Sequence, residues 1–151
     1  MSSRPDTTIT IDTPDPRSLA DGALPVALIE RISPVLVVDD EPMMRTILCR
    51  VLERLGIVTV DVADGALAAL ELARTRRYGL ILSDIQMEPM NGIELLRTLR
   101  GTGNAATPVL LTTGTYSTHL AAEARSARAR WFILKPFSAQ QIGRKLQEIF
   151  A

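Results

Sequence analysis

The sequence has one cysteine and one histidine, and this shortage excludes several kinds of chemistry. A single cysteine, Cys49, cannot form an intrachain disulfide, and its place in an apolar helical pattern indicates packing rather than nucleophilic catalysis. The single histidine, His119, lies in a helix predicted over about residues 117–129 and is interpreted as a surface residue rather than a catalytic base. The chemistry of this chain therefore depends on other side chains.

An excess of either charge and a long apolar run are also lacking. The 17 basic and 17 acidic residues give a formal net charge of zero, so the composition does not favour a nucleic acid or a membrane surface as partner. The N-terminal stretch lacks the apolar core of a signal peptide, and no apolar run approaches the length that spans a bilayer. These features predict a cytoplasmic protein with no nucleic-acid partner and no membrane partner.

The length and composition fit one globular domain with a tail. The 151 residues are enough to bury a sizeable core, and the apolar (46%) and charged (23%) fractions are ordinary for such a domain. Proline, threonine and aspartate are frequent in residues 1–33, which indicates irregular structure there. The sequence therefore predicts an N-terminal extension over residues 1–33 and one main domain over residues 34–151.

A short helix is predicted near the end of this extension. Pro25 suits a first helical turn, and Leu24, Leu28 and Ile32 would share one face. Two interpretations stay open. The segment is either a docking or dimerisation element, or a short element that packs on its own domain or forms a loose tail.

Five apolar strands alternate with five amphipathic helices after the extension. The strands are predicted at about 35–38, 57–62, 80–84, 109–111 and 131–134. The helices are predicted at about 43–55, 64–72, 93–99, 117–129 and 142–150. Strands that are apolar throughout are typical of a parallel sheet buried on both faces. Right-handed crossovers then place helices on both sides, so the predicted fold class is α/β with a doubly wound five-stranded parallel sheet.

Polar side chains gather where four of these strands end. Ligands of such sheets bind outside the carboxyl ends of the strands. The four ends carry Asp39 and Asp40 (first strand), Ser83 and Asp84 (third), Thr112 and Thr113 (fourth), and Lys135 (fifth). They converge on one edge if the second strand lies outside, next to the first.

Together these side chains suit a divalent cation and a phosphoryl group. Asp39, Asp40 and Asp84 repel one another without a cation, and a small all-oxygen site suits Mg²⁺. Lys135 adds a fixed positive charge, and Thr113 adds a hydroxyl donor, as a phosphoryl group requires. A carboxylate can itself attack phosphorus, and no Gly-rich loop points to a nucleotide. Each residue alone has an ordinary explanation, such as capping of the next helix by an aspartate, so the joint occurrence carries the prediction.

Four segments resemble the receiver domain of bacterial two-component response regulators. They are Asp39-Asp40, residues 83–92 (SDIQMEPMNG), residues 108–114 (PVLLTTG) and Lys135-Pro136-Phe137. The match covers about residues 34–151 in the right order. The resemblance implies a flavodoxin-like sheet in the strand order 2-1-3-4-5 and a phosphorelay signalling switch rather than an enzyme.

The resemblance also implies how the phosphoryl group and the metal are held. Asp84 would accept the phosphoryl group from a phosphohistidine on a sensor histidine kinase or a histidine phosphotransfer protein. Asp40 would bind Mg²⁺ directly, Asp39 would help through water, and the backbone carbonyl of Gln86 would be a further ligand. Signalling would then proceed by contact with a downstream protein, without a DNA-binding output domain, and a homodimer is compatible with the sequence.

A switch is implied at the same edge of the sheet. Lys135, joined to Pro136 by a cis peptide bond, would pair with the phosphoryl oxygens. Thr113 would move towards the phosphoryl group, and Phe132, at a position where the family often has tyrosine, would rotate into the space behind it. This movement would bias the surface formed by the helix near residues 117–129, the fifth strand and the last helix.

The sequence departs from the family pattern in two segments near this switch. Gly114 follows Thr113 where alanine is common, which predicts a looser switch loop. Residues 128–130 (RAR) replace a small, glycine-containing turn before the fifth strand.

Two alternative functions stay open at this stage. A Mg²⁺-dependent phosphatase or phosphotransferase with an aspartate nucleophile usually has a second aspartate two residues later, where this chain has Gln86. A phosphorylation-independent protein-binding module would not need the complete set of site residues that this chain carries.

Overall fold

The computed structural model describes residues 22–151, which form a five-stranded parallel sheet between two layers of helices. The strands are β1 (Val35–Val38), β2 (Val60–Ala63), β3 (Leu80–Asp84), β4 (Val109–Thr113) and β5 (Trp131–Leu134). The helices are α1 (Val26–Ile32), α2 (Pro42–Arg54), α3 (Ala66–Thr75), α4 (Gly92–Leu99), α5 (Thr118–Ser126) and α6 (Ala139–Ile149). The strand order is β2-β1-β3-β4-β5 with every pair parallel, so the predicted fold class and strand order are confirmed.

Alternate residues of the strands point to opposite faces of the sheet and build two separate cores. On one face, Leu36 and Leu111 belong to the core that includes residues of α3, α4 and α5. On the other face, Val37 and Leu110 belong to the core that includes residues of α1, α2 and α6. All four residues of β1 are fully buried, as expected for a strand covered on both faces.

Capping residues define where the helices begin. The Asn91 side chain accepts hydrogen bonds from two N–H groups in the first turn of α4, while Glu94 accepts from the Asn91 N–H. Ser138 and Gln141 form the same reciprocal arrangement at the start of α6. The longest helix, α2, has 13 residues, and no helix within residues 22–151 has both the length and the apolar character needed to cross a membrane.

The strand β2 is shorter than the sequence predicts. Pairing with β1 begins at Val60, whereas the apolar pattern begins at Ile57. Ile57 instead donates its N–H to the Leu52 carbonyl (2.8 Å) at the end of α2, and its side chain is fully buried. Val58 is 77% exposed. The apolar residues before Val60 therefore close the preceding helix or face solvent rather than extend the strand.

The helix α1 packs on the same core as the strands. Ile32 is fully buried, and Leu24 is nearly so. The Leu24 N–H donates to the Leu55 carbonyl (2.8 Å), and Arg31 Nη1 donates to the Phe150 carbonyl (2.7 Å). In the structure, this segment thus packs on its own domain. The predicted boundary between residues 33 and 34 stays a prediction, and the irregular structure predicted for residues 1–21 lies outside the described residues.

Candidate functional site

Three carboxylates meet at the carboxyl edge of the sheet. Because β1 and β3 are neighbours, Asp39 and Asp40, which follow β1, lie beside Asp84 at the end of β3. One carboxylate oxygen from each residue lies within 4.8 Å of the others. Asp39 and Asp84 are buried and Asp40 is exposed, so the cluster opens to solvent at Asp40.

Lys135 brings a positive charge to this cluster from β5. Its Nζ lies 3.3 Å from Asp84 Oδ1 and 3.5 Å from Asp39 Oδ2. The Lys135 N–H donates to the Thr113 carbonyl (2.8 Å), which ties the residue to the end of β4. Its peptide bond with Pro136 is cis, as predicted. The structure thus joins residues at the carboxyl ends of three different strands, β1, β3 and β5.

Asp39 is held in place by two groups from the start of α2. Its Oδ1 accepts from the Glu41 N–H (2.9 Å), and its backbone carbonyl accepts from Arg45 Nη1 (2.8 Å). Asp39 therefore bonds the backbone before α2 as a cap would, and it also faces Lys135. Arg45 is absent from the residues predicted for the site, because an arginine on a helix looks like an ordinary surface residue until the fold is known.

Burial raises the pKa of Asp84. Desolvation is the largest cause, the positive charge of Lys135 lowers the pKa, and the negative charge of Asp39 raises it again. Asp84 Oδ1 is buried and has no hydrogen-bond partner among the described residues, although the Lys135 ammonium lies 3.3 Å away. A buried carboxylate oxygen with unused acceptor capacity, beside two further carboxylates, fits a small divalent cation.

Thr113 forms its hydrogen bonds within the loop after β4. Its hydroxyl donates to the Thr115 carbonyl (2.6 Å) and accepts from the Thr115 N–H (3.2 Å). The same oxygen lies 3.1 Å from Oε1 of Gln86, so it links this loop to the one after β3. The sequence assigns Gln86 a role through its backbone carbonyl, and this side-chain contact is an additional feature of the structure.

Phe132 lies apart from the carboxylates, under α5. It is partly buried against the core and lines a cavity with Tyr116 and Leu120. The structure therefore brings together the acidic residues and Lys135, links Thr113 to Lys135 through its backbone carbonyl, and places Phe132 in a separate cavity beside α5.

Gly92 allows α4 to approach the strand that carries Asp84. A Cβ at this position would lie 2.3 Å from the backbone oxygen of Asp84. The Gly92 N–H also donates to the Ile85 carbonyl (3.0 Å). Glycine is therefore required by close backbone approach, a reason that becomes visible only when α4 is packed against the end of β3.

The fold and this edge define a class of protein: a parallel α/β domain with an acidic cluster and a facing lysine at the carboxyl ends of its strands. The chain belongs to the response regulator receiver domain family, whose sequence model matches residues 35–147. Receiver domains of this kind are signalling proteins of two-component systems rather than conventional enzymes, and they interact with histidine kinases and downstream targets.

Individual relatives support the same assignment. The chain is 32% identical over 117 residues to the chemotaxis protein CheY of Pseudomonas aeruginosa, covering 77% of this chain and 94% of the relative. It is 32% identical over 125 residues to CheY-3 of Vibrio cholerae, covering 82% and 96%. The solved structure of Vibrio cholerae CheY4 matches with a TM-score of 0.71 and 29% identity, covering 76% of this chain and 96% of that chain. The receiver class predicted from the motifs is thus confirmed.

Proposed function

We propose that this receiver domain accepts a phosphoryl group on Asp84 and passes the signal on by protein contact. The observation that carries the proposal is the position of the buried Asp84 Oδ1, beside two further carboxylates and 3.3 Å from Lys135 Nζ. The donor would be a phosphohistidine on a sensor histidine kinase or a histidine phosphotransfer protein. An Asp84 oxygen bonds to phosphorus as the phosphorus–nitrogen bond breaks, and the electron pair of that bond stays on the imidazole.

Mg²⁺ is the proposed cofactor of this transfer. Asp39, Asp40, Asp84 and the backbone carbonyl of Gln86 would hold the ion, which offsets the negative charge of the carboxylates and of the incoming phosphoryl oxygens. Lys135 pairs with the phosphoryl oxygens as a second positive charge. Its ion pair with Asp39 supports this role, because it keeps the ammonium at the site before the phosphoryl group arrives.

Thr113 and Phe132 are the proposed switch. Thr113 exchanges its hydrogen bonds with Thr115 and Gln86 for one to a phosphoryl oxygen, and Phe132 moves into the space behind it. The surface formed by α5, β5 and α6 then changes its preference for a downstream protein. The proposal includes a cytoplasmic location and an output that does not involve nucleic acid.

A phosphatase with an aspartate nucleophile is the weaker alternative. Such an enzyme needs an acid two residues after the nucleophile, and this chain has Gln86 there. The Gln86 side chain is uncharged and lies against Thr113.

Intact-mass measurement after incubation with Mg²⁺ and acetyl phosphate tests the proposal. We expect the mass of one phosphoryl group to be added to the wild-type chain, in an acid-stable and base-labile form, and not to be added to Asp84→Asn. Asp64→Asn is the matched control, because Asp64 is an exposed aspartate at the end of β2 on the same edge. It should be phosphorylated as the wild type is.

Three other results would contradict the proposal. Folded wild-type protein that gains no mass from any phosphodonor would favour a phosphorylation-independent binding module. Multiple turnover of phosphate esters would favour the phosphatase. Equal phosphorylation of Asp84→Asn would move the acceptor to another residue.

A further inference from the structure

Five exposed arginines form one surface away from the acidic cluster. This surface, here called the arginine patch, comprises Arg97, Arg100, Arg125, Arg128 and Arg130. We propose that the arginine patch docks an acidic polypeptide segment of a partner protein. The proposal goes beyond phosphorylation of Asp84 and does not depend on it.

The arginines of the patch come from three segments of the chain, the ends of α4 and α5 and the turn before β5. Arg97 extends from α4 towards α5, where its Nη2 lies 3.5 Å from the Ser126 hydroxyl. Arg100 Nη2 donates to the Arg128 carbonyl (3.4 Å). Arg100, Arg128 and Arg130 line a single cavity of about 210 Å³. Three of the five charges, those of Arg100, Arg128 and Arg130, therefore converge on one concave surface.

The arginines of the patch form no ion pair in the part of the chain that the structure describes. The ion pairs within residues 22–151 involve other basic residues. Five of the 17 basic residues thus form one positive surface on a chain whose net charge is zero. Such a surface attracts and orients an anionic partner.

Arg128 occupies a backbone conformation that disfavours arginine. Its φ is +58°, in the left-handed region where glycine is preferred. Arg97 and Arg125 lie in the last turns of their helices, where a cation is favoured by the helix dipole. That explanation does not extend to Arg128 or Arg130, which follow the end of α5. The positive φ belongs to a Schellman cap that ends α5, in which the Arg128 N–H donates to the Arg125 carbonyl (3.0 Å) and the Ala129 N–H to the Ala124 carbonyl (2.9 Å). Glycine is the usual residue at that position, so the cap explains the backbone conformation but not the choice of arginine.

The walls of the cavity indicate what the occupant is. Leu96, Ala129, Trp131 and Ile149 contribute apolar surface beside the arginines. Guanidinium groups bind carboxylates through paired hydrogen bonds, so a peptide with acidic and apolar side chains fits both parts of the cavity. A single-stranded nucleic acid would stack bases on an open aromatic ring, but Arg130 lies over the Trp131 ring at 4.9 Å.

The patch lies at the edge of the sheet opposite the acidic cluster. Its cavity is lined by residues that precede β4 and β5, such as Pro108 and Arg130, whereas Asp84 and Lys135 lie at the carboxyl ends of the strands. A five-residue strand is about 17 Å long, so the two edges are separated by roughly that distance. A partner can therefore occupy the patch while a phosphodonor occupies the acidic site.

Fluorescence anisotropy with the full chain tests the proposal. The probe is a fluorescein-labelled peptide of repeating Glu-Glu-Leu units, and the reference probe has glutamine in place of each glutamate. We expect the acidic probe alone to bind, with an affinity that falls as salt is added. The double variant Arg100→Gln/Arg130→Gln should bind at least about tenfold more weakly.

Matched variants separate docking from general charge and from stability. Arg50→Gln/Arg54→Gln makes the same charge change at exposed positions of α2 and should keep wild-type affinity. Arg128→Gly should weaken binding while the melting temperature rises, a combination that a purely structural arginine would not give. The proposal is overturned if neither double variant loses affinity, if both lose it equally, or if the acidic probe does not bind. Tighter patch-dependent binding of an oligonucleotide or of anionic vesicles would also overturn it.

Discussion

At the scale of single residues, Asp84 costs stability when no cation is bound. Burial raises its pKa, so the folded state binds a proton more tightly than the unfolded state does. The resulting loss of stability is full above the folded-state pKa and absent below the unfolded-state pKa. In the presence of a chelator, Asp84→Asn should therefore raise the free energy of unfolding at pH 7. Urea denaturation across the acidic pH range should show this difference vanish as the pH falls.

Added Mg²⁺ supplies the control for this prediction. A ligand that binds only the folded state at ten times its dissociation constant stabilises that state by about 1.4 kcal/mol. Wild-type protein should gain stability in this way, whereas Asp84→Asn should gain much less. If Asp84→Asn is less stable than the wild type in chelator at pH 7, burial of the Asp84 carboxylate does not cost stability. If Mg²⁺ raises the free energy of unfolding equally in both proteins, Asp84 does not bind the ion.

Arg128 gives a second prediction at the residue scale: its replacement should raise the free energy of unfolding, whereas most substitutions lower it. A side chain at φ +58° is strained, and glycine relieves that strain at the cost of a more flexible unfolded chain. Arg128→Gly should therefore raise the free energy of unfolding by about 0.5–1 kcal/mol. Arg125→Gly, within the regular helix α5, should lower it by about 1 kcal/mol. Urea midpoints that move in the same direction for both variants would show that backbone conformation is not the cause.

At the scale of elements, replacing either of two glycines beside the site by alanine should have opposite effects on stability. A Cβ at Gly114 would meet no atom within 4 Å, and its φ is not positive, so Gly114→Ala should stabilise by about 0.4–1 kcal/mol. A Cβ at Gly92 would lie 2.3 Å from the Asp84 backbone oxygen. Gly92→Ala should therefore destabilise by about 1–3 kcal/mol, because α4 or the end of β3 must shift.

Phosphorylation of the Gly92→Ala and Gly114→Ala variants distinguishes an effect on stability alone from an effect on the phosphorylation site. The rate of mass gain from acetyl phosphate should fall in Gly92→Ala, because the shift moves the backbone that carries Asp84. The Gly114→Ala variant should remain phosphorylatable. A Gly92→Ala variant with wild-type stability and wild-type rate would show that α4 does not press on the end of β3.

The elements that could be predicted from the sequence are those whose side-chain pattern has a single cause. β1 is apolar because it is buried on both faces, so its four apolar residues are enough to predict the strand. The start of β2 could not be predicted, because Ile57 is apolar for a different reason, the closure of α2.

At the site, too, a residue could be predicted only where a single rule applies to it. Asp84 follows from the rule that ligands bind at strand ends, whereas the contacts of Arg45 and the Gln86 side chain depend on loop paths that no local pattern encodes.

At the scale of the whole molecule, the receiver fold is extended by a helix that lies outside the family match. The family model begins at residue 35, yet α1 contributes the fully buried Ile32 to the core. A Cβ at Gly79, just before β3, would lie 2.3 Å from the Ile32 carbonyl oxygen, so α1 ends directly on the turn into the central strand. Arg31 binds the last turn of the chain through the Phe150 carbonyl and lies 5.5 Å from the centre of its ring. The helix thus contacts the middle of the sheet and the end of α6 together.

If α1 is part of the cooperative core, a cavity beneath it must destabilise the whole domain. Ile32→Ala should lower the free energy of unfolding by about 2–5 kcal/mol in a single two-state transition, as expected for a fully buried side chain. Val26→Ala, at a position that is 71% exposed on the same helix, should change it by less than about 0.5 kcal/mol. Folded Ile32→Ala should still be phosphorylated on Asp84, because α1 contacts the start of β3 rather than its carboxyl end. Equal stabilities for the two variants, measured by urea denaturation, would mean that α1 only rests on a domain that is complete without it.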